Sequence, residues 1–147
     1  MMIQRLTKND IDKMRKLNEV FAVAFEDKET HLQKLPRDSY LQTLLEKSHF
    51  IALTAMQGEE VVGGLVAYVL EKYEQERSEI YIYDLAVSEG FRRQGIARSL
   101  ILYLKEIARE IGAYVIFVQA DREDKPAILL YRSLGRQEEP FHFDIRI

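Results

Sequence analysis

Between a strand-forming run, Glu79 to Val87, and an amphipathic helix, the chain sets Arg92 and Arg93 beside Gln94, Gly95, Ile96 and Ala97. The start of a helix presents unpaired backbone N–H groups and roughly half a positive charge, so an anion is favoured there. Gly95 lets a bulky ligand approach the main chain, Ala97 keeps the next turn low, and the arginine pair adds attraction for a pyrophosphate. A Walker loop would need GxxxxGK[ST], and a dinucleotide fingerprint would need GxGxxG after a strand. Neither is present. The loop is read as a diphosphate cradle of another kind.

Composition narrows the remaining chemistry. With no cysteine in 147 residues, disulfides, thiolate metal sites and a cysteinyl nucleophile are excluded. His31, His49 and His142 lack HxxxH or HExxH spacing, so no metal site is expected. A net charge of −3 argues against a nucleic-acid binder and suits a small cationic substrate better. The opening residues, MMIQRLTKNDIDK, lack a basic segment followed by a long apolar run, so a cytoplasmic protein without a membrane span is expected. At 47% hydrophobic and 31% charged, the chain reads as one soluble domain over residues 1–147.

The positioning elements follow from periodicity. Residues 3–6 can start a strand, and Thr7 with Asp10 resembles a capping box. Ile11, Met14, Leu17, Phe21 and Phe25 recur at helical spacing, and a second short helix starts near Asp38 or Ser39. Residues 50–56 and 61–70, joined by a turn, form an antiparallel hairpin, and residues 79–87 form a third strand. Ala97, Leu100, Ile101, Leu104, Ala108 and Ile111 mark a helix stopped by Gly112. Residues 113–120 read as a strand buried on both faces, returning parallel to its predecessor. Asp124 and Pro126 open a final helix closed by Gly135, and Phe141, Phe143 and Ile145 alternate with His142, Asp144 and Arg146 in a closing strand. The expected fold is α/β (α+β), a mixed, mostly antiparallel sheet with helices on both faces, in the order β-α-α-β-β-β-α-β-α-β.

Arg92-x-x-Gly95-x-Ala97, after a strand and opening a helix, resembles the R/Q-x-x-G-x-G/A signature of the GNAT acyltransferase superfamily, and the element order is similar across the whole chain. RSEIYIYDLAV, RRQGIA, GAYVIFVQAD and HFDI together resemble the aminoglycoside 3-N-acetyltransferases of type I. That resemblance implies acetyl-CoA as cofactor, acetylation of the 3-amino group of an aminoglycoside, antibiotic resistance and a homodimer. It further implies that Arg92, Arg93, Gln94, Gly95, Ile96 and Ala97 hold the pyrophosphate. Leu85, Ala86 and Val87 would flank the pantetheine arm on a strand splayed from its parallel neighbour.

Within that frame Asp84 is the first candidate for the base that takes the amine proton, directly or through water, and Glu79 the weaker one. The alternative for Asp84 is a half-buried carboxylate satisfying local backbone donors. Tyr131 stands where the superfamily commonly places a tyrosine that donates to the CoA sulfur; the alternative is an aromatic packed against the sheet. Backbone N–H groups of Leu85 or Ala86 are the candidate oxyanion donors. Many relatives carry asparagine near the start of the last helix, where this chain has Asp124. Glu26, Asp27, Asp121, Glu123, Asp124, His142 and Asp144 could instead form an acidic wall for a polycationic sugar, or be a solvated surface. Another small amine, such as a polyamine or peptide, is the alternative substrate, and a noncatalytic acyl-CoA-binding module the alternative class.

Overall fold

The computed structural model describes residues 1–147. The chain runs β1 (Met2–Arg5), α1 (Ile11–Ala24), α2 (Lys28–Leu32), α3 (Asp38–Glu46), β2 (Phe50–Gln57), β3 (Glu60–Glu71), β4 (Ser78–Val87), a 3₁₀ turn (Glu89–Phe91), α4 (Ile96–Ile111), β5 (Ala113–Val118) and α5 (Lys125–Leu134). The five strands lie in the sheet in sequence order. β1 to β4 are antiparallel neighbours, and β5 joins β4 in parallel after the α4 crossover.

Each face of the sheet is covered by helix. Ile51, Leu53, Leu65, Ile80 and Ile82 pack against Leu100, Leu104 and Ile107 of α4. Phe50, Ala52, Val66 and Ala86 face Met14, Leu17 and Phe21 of α1 and Leu41 of α3. A Cβ at Gly64 would stand 2.3 Å from Leu53 O and 2.6 Å from Leu17 Cδ1, so only glycine lets α1 seat this low on β3.

Local signals are met at several element ends. The Asp10 carboxylate accepts from the Thr7 N–H at 2.8 Å, but this closes a turn rather than the expected capping box: α1 begins after Asp10, whose side chain does not cap it. Gly112 ends α4 at φ +74°, and the Asp124 carboxylate accepts from the Ala127 N–H at 3.2 Å to open α5.

Four sequence expectations need correction. The segment before Pro36 contains an additional short helix, α2, capped by Asp27, whose carboxylate accepts from the Thr30 N–H at 3.1 Å. β5 ends at Val118 rather than residue 120. It is also not buried on both faces, because it is the edge strand, and Tyr114 and Val115 stay 48% and 39% exposed. Finally, the closing strand at Phe141–Ile145 does not form within the chain. Gly135 leaves α5 extended, and residues 136–147 make no backbone hydrogen bond, so a strand-like side-chain pattern has no ladder to join.

Candidate active site

The site is built where β4 parts from β5. Their pairing runs from Ser78↔Ala113 to Ile82↔Val118 and stops, while β4 continues to Val87 paired only to β3. Residues 83–87 therefore present an open backbone edge, the splay that the proposed placement of Leu85, Ala86 and Val87 requires.

A β-bulge sits at the same point. Ala67 pairs with Ile82 and Val66 with Asp84, so Tyr83 is the extra residue of β4. Before it, Ile80 and Ile82 face α4; after it, Leu85 and Val87 face α4 while Ala86 faces α1. Strict alternation would have driven Asp84 into the apolar core with Ile80 and Ile82. The bulge turns it to the α1 side with Tyr83, the re-aiming that bulges perform beside active sites.

Asp84 and Tyr83 line a cavity of about 230 Å³ with Met14, Phe21, His31 and Tyr68. The Asp84 carboxylate accepts no hydrogen bond from the protein, which removes the reading of an aspartate tied to local donors. Burial pushes its pKa up, and the nearby His31 opposes that shift. The His31 ring is held against Phe21 and Phe25, with Nδ1 3.0 Å from Asp27 O. His31 has no motif spacing in the sequence; only the α2 turn, anchored by the Asp27 cap, brings it to Asp84.

Aromatic rings floor the approach. Tyr68 meets Tyr83 edge-on at 6.0 Å, Tyr83 meets Tyr81 at 5.7 Å, and Tyr81 stacks on Phe117 at 4.7 Å. Tyr83 is 62% exposed, whereas Tyr68, Tyr81 and Phe117 are half-buried, so the row offers one open ring flanked by partly covered ones. Such faces suit the flat, partly apolar and cationic surface of an amino sugar.

Tyr131 of α5 packs against the α4-side core. Burial first, and the Asp124 charge second, push its pKa up to about 12, so its phenol is neutral and a donor at working pH.

The loop before α4 has the form of an anion cradle. Arg93 and Gly95 both hold positive φ, at 61° and 79°, and a Cβ on Gly95 would meet nothing within 4 Å. Successive turns of this kind point amides one way. The N–H groups from Arg93 to Arg98 donate to no carbonyl or side chain of the protein. Arg92 Nε donates to Val87 O at 2.9 Å, tying the loop to the end of β4. Arg92, Arg93, Gln94 and Gly95 are exposed, Ala97 is partly so, and Ile96 is buried as the anchor of the turn.

The other acidic residues do not converge. Glu79 receives a hydrogen bond from Tyr114 and lies 3.6 Å from Lys72, five strand positions and roughly 16 Å from Asp84. Glu26 lines a separate open depression of about 770 Å³ with Glu59, Glu60, Glu89 and Arg92. Asp27 is engaged as the α2 cap, which holds its carboxyl below the usual range, and Asp124 as the α5 cap. Asp121 and Glu123 are exposed in the turn before α5. His142 and Asp144 pair at 2.9 Å on the extended segment and do not line this cavity.

The sequence model described as the Acetyltransferase (GNAT) family matches residues 13–135. The solved structure of aminoglycoside acetyltransferase HMB0005, from an uncultured soil metagenomic sample, superposes with a TM-score of 0.98 at 53% identity, covering 99% of this chain and 97% of that one. A second soil metagenomic aminoglycoside acetyltransferase, meta-AAC0020 in complex with sisomicin, gives a TM-score of 0.92 at 37% identity, with 99% and 95% coverage. N-acetyltransferase 8B of Rattus norvegicus is 30% identical over 60% of this chain, which spans 40% of that protein. Streptothricin acetyltransferase of Streptomyces lavendulae is 32% identical over 50% of this chain and 39% of its own length.

Proposed function

Because the chain belongs to the GNAT acetyltransferase family, we propose that it acetylates the 3-amino group of an aminoglycoside, using acetyl-CoA, by direct attack of the amine. The observation that carries this reading is Asp84. The bulge leaves a half-buried carboxylate without a hydrogen-bond partner on an aromatic-floored cavity, where the strands part. The likeness to two aminoglycoside acetyltransferase structures over nearly the whole chain supports the substrate class. The 3-position and the consequence, antibiotic resistance, rest on the resemblance in RSEIYIYDLAV, RRQGIA, GAYVIFVQAD and HFDI.

The residues present fit acetyl-CoA. The free amides of Arg93 to Arg98 suit its pyrophosphate, and the open edge of residues 83–87 suits the amides of its arm. When bound, acetyl-CoA supplies an acetyl group activated as a thioester. Asp84, ionised, takes a proton from the substrate ammonium so that the nitrogen lone pair is available. The N–H of Leu85 or Ala86 would donate to the thioester oxygen, and the Tyr131 phenol would donate a hydrogen bond to the thioester sulfur. The row Tyr68, Tyr83, Tyr81 holds the sugar face, with His31 beside the base.

Release of free thiol from acetyl-CoA, followed with gentamicin-like, kanamycin-like and polyamine acceptors, tests the reading. Turnover with the aminoglycosides, with the product acetylated at the 3-amino nitrogen by NMR, is the expected result. Turnover of polyamines alone would replace the substrate class. Binding of acetyl-CoA without thiol release to any acceptor would make the protein a binding module instead.

A further inference from the structure

Asp84 has no hydrogen-bond partner to relieve it of a proton. Burial favours its neutral form, so once it has received a proton from an amine, a new cycle needs a group that removes it. The cavity wall offers few. Tyr40 of α3, Tyr68 of β3 and Tyr83 of β4 are phenols, and a phenol is a poor proton acceptor near neutral pH. From α1 come Met14, Asn18 and Phe21, none of which titrates. Histidine is the side-chain type that ordinarily exchanges a proton near neutral pH, and the one histidine on the wall is His31 of α2.

The ring of His31 is fixed in a form suited to that exchange. Nδ1 lies 3.0 Å from Asp27 O, and a backbone carbonyl only accepts, so Nδ1 carries a proton and the neutral ring holds its lone pair on Nε2. Nε2 has no hydrogen-bond partner in the protein. The side-chain polar atoms buried without a partner are Thr54 Oγ1 and Arg77 Nε, so Nε2 is accessible on a ring that lines the cavity. Phe21 and Phe25, stacked on each other at 5.7 Å, hold the ring at 6.2 and 6.1 Å and limit its swing. Within α2 the Asp27 carboxylate also faces His31, but it is engaged by the Thr30 N–H. From the sheet the charged group facing it is Asp84, and the two are close enough for the His31 charge to oppose the effect of burial on Asp84.

Resting on the acetyl-transfer reading above, we propose that His31 Nε2 takes from Asp84 the proton that Asp84 has removed from the substrate amine, and passes it to solvent. The O–H bond on Asp84 breaks as an N–H bond forms at Nε2, leaving a carboxylate and an imidazolium that attract each other. The imidazolium then loses that same proton to water, and Nδ1 keeps its own on Asp27 O throughout. His31 acts on the amine only through Asp84, so it is a positioning residue for the base.

The test compares the full chain in wild-type form with His31→Ala and His31→Gln, following thiol release from acetyl-CoA with gentamicin-like and kanamycin-like acceptors. Both variants should lose roughly 10²-fold in kcat, the low end for a positioned proton-transfer group, with KM little changed. Glutamine keeps an N–H for the Asp27 carbonyl but has no basic nitrogen, so it holds the fold without carrying the proton. Added imidazole should restore turnover to His31→Ala, whereas pyrazole, of the same shape but a far weaker base, should not. A merely structural ring would be replaced equally by either. The second readout needs no turnover: in the free protein, the titration of the Asp84 carboxyl carbon by NMR should move to higher pH in His31→Gln, because the cation that opposes burial is gone. A loss below about threefold in both variants, equal rescue by the two rings, or an unmoved Asp84 midpoint would overturn the proposal while leaving Asp84 as the base. Absence of turnover with either aminoglycoside in the wild type itself would overturn the acetyl-transfer reading, and this proposal with it.

Discussion

Replacing Tyr131 by Phe removes one hydroxyl and keeps the ring against the α4-side core, so its effect reports the phenol alone. The phenol has a pKa of about 12, whereas an alkyl thiol titrates at about 8.5. Full transfer of the Tyr131 proton to a thiolate is therefore uphill by about 3.5 units, or roughly 5 kcal/mol. In the proposed reaction Tyr131 therefore serves as a hydrogen-bond donor to the leaving sulfur, and the proton that ends on the thiol would come from solvent or from the amine by way of Asp84. A hydrogen bond to a charged group contributes about 1.5–3 kcal/mol, so Tyr131→Phe should lower kcat by roughly 10- to 150-fold. Single-turnover thiol release isolates the chemical step, and acetyl-CoA affinity from isothermal titration should be nearly unchanged. An acetyl thioester of a more acidic thiol should narrow the difference between wild type and variant, because its sulfur needs less help. A loss below about threefold falls short of the roughly 1.5 kcal/mol such a bond supplies, one well above about 150-fold exceeds its ceiling of roughly 3 kcal/mol, and either, or a loss independent of the leaving thiol, would refute the role.

Asp84→Asn should reduce kcat by about 10²–10⁴, the range for a positioned general base, and should abolish the acid limb of the pH profile. Its folded pKa is raised by burial, so the folded state holds a proton that the unfolded chain has already lost, and stability falls as pH rises through that window. The variant should therefore melt higher than wild type near neutral pH and lose that advantage in acid; a lower neutral melting point would make Asp84 structural. Arg92→Ala breaks the bond from Nε to Val87 O and should weaken acetyl-CoA binding by about fivefold for a loss near 1 kcal/mol, with Arg92→Lys failing to restore it. An unchanged dissociation constant would remove Arg92 from the cradle. Gly64→Ala should cost about 1–3 kcal/mol by overpacking and lower the thermal midpoint by roughly 2–12 °C, because the contact at 2.3 Å is with backbone and cannot swing aside. A neutral substitution would show that α1 can lift from β3 freely.

Asp84 illustrates the limit of reading side chains by period. Alternation along Ile80, Tyr81, Ile82, Tyr83 assigns the next residue to the core face, and the sequence contains no glycine or proline there to announce a bulge. The register against Val66 and Ala67 is a property of two strands together, and it decides that Asp84 faces the cavity. His31 is a similar case: its neighbours in sequence carry no site pattern, and its place beside Asp84 follows from the α2 turn and the rings of Phe21 and Phe25. The acidic residues show the converse limit. Carboxylates scattered over the chain look like one surface in a charge count, but Asp27 and Asp124 are spent on helix caps and Glu79 on Tyr114 and Lys72.

The amino-acid sequence by itself determined the helices α1 and α4, the β2–β3 hairpin, the Gly112 and Asp124 helix ends and the glycine turn that leads into α4 at Arg92 to Ala97. Each of these depends on residues within a turn or two of one another, where backbone torsions, caps and apolar period act directly. Tertiary structure alone decided the bulge at Tyr83, the point after Ile82 and Val118 where the strands separate, the arrival of His31, and the failure of Phe141–Ile145 to pair. A ladder needs a partner strand as well as a suitable pattern, and which partner is within reach is a fact about distant segments that no local propensity records.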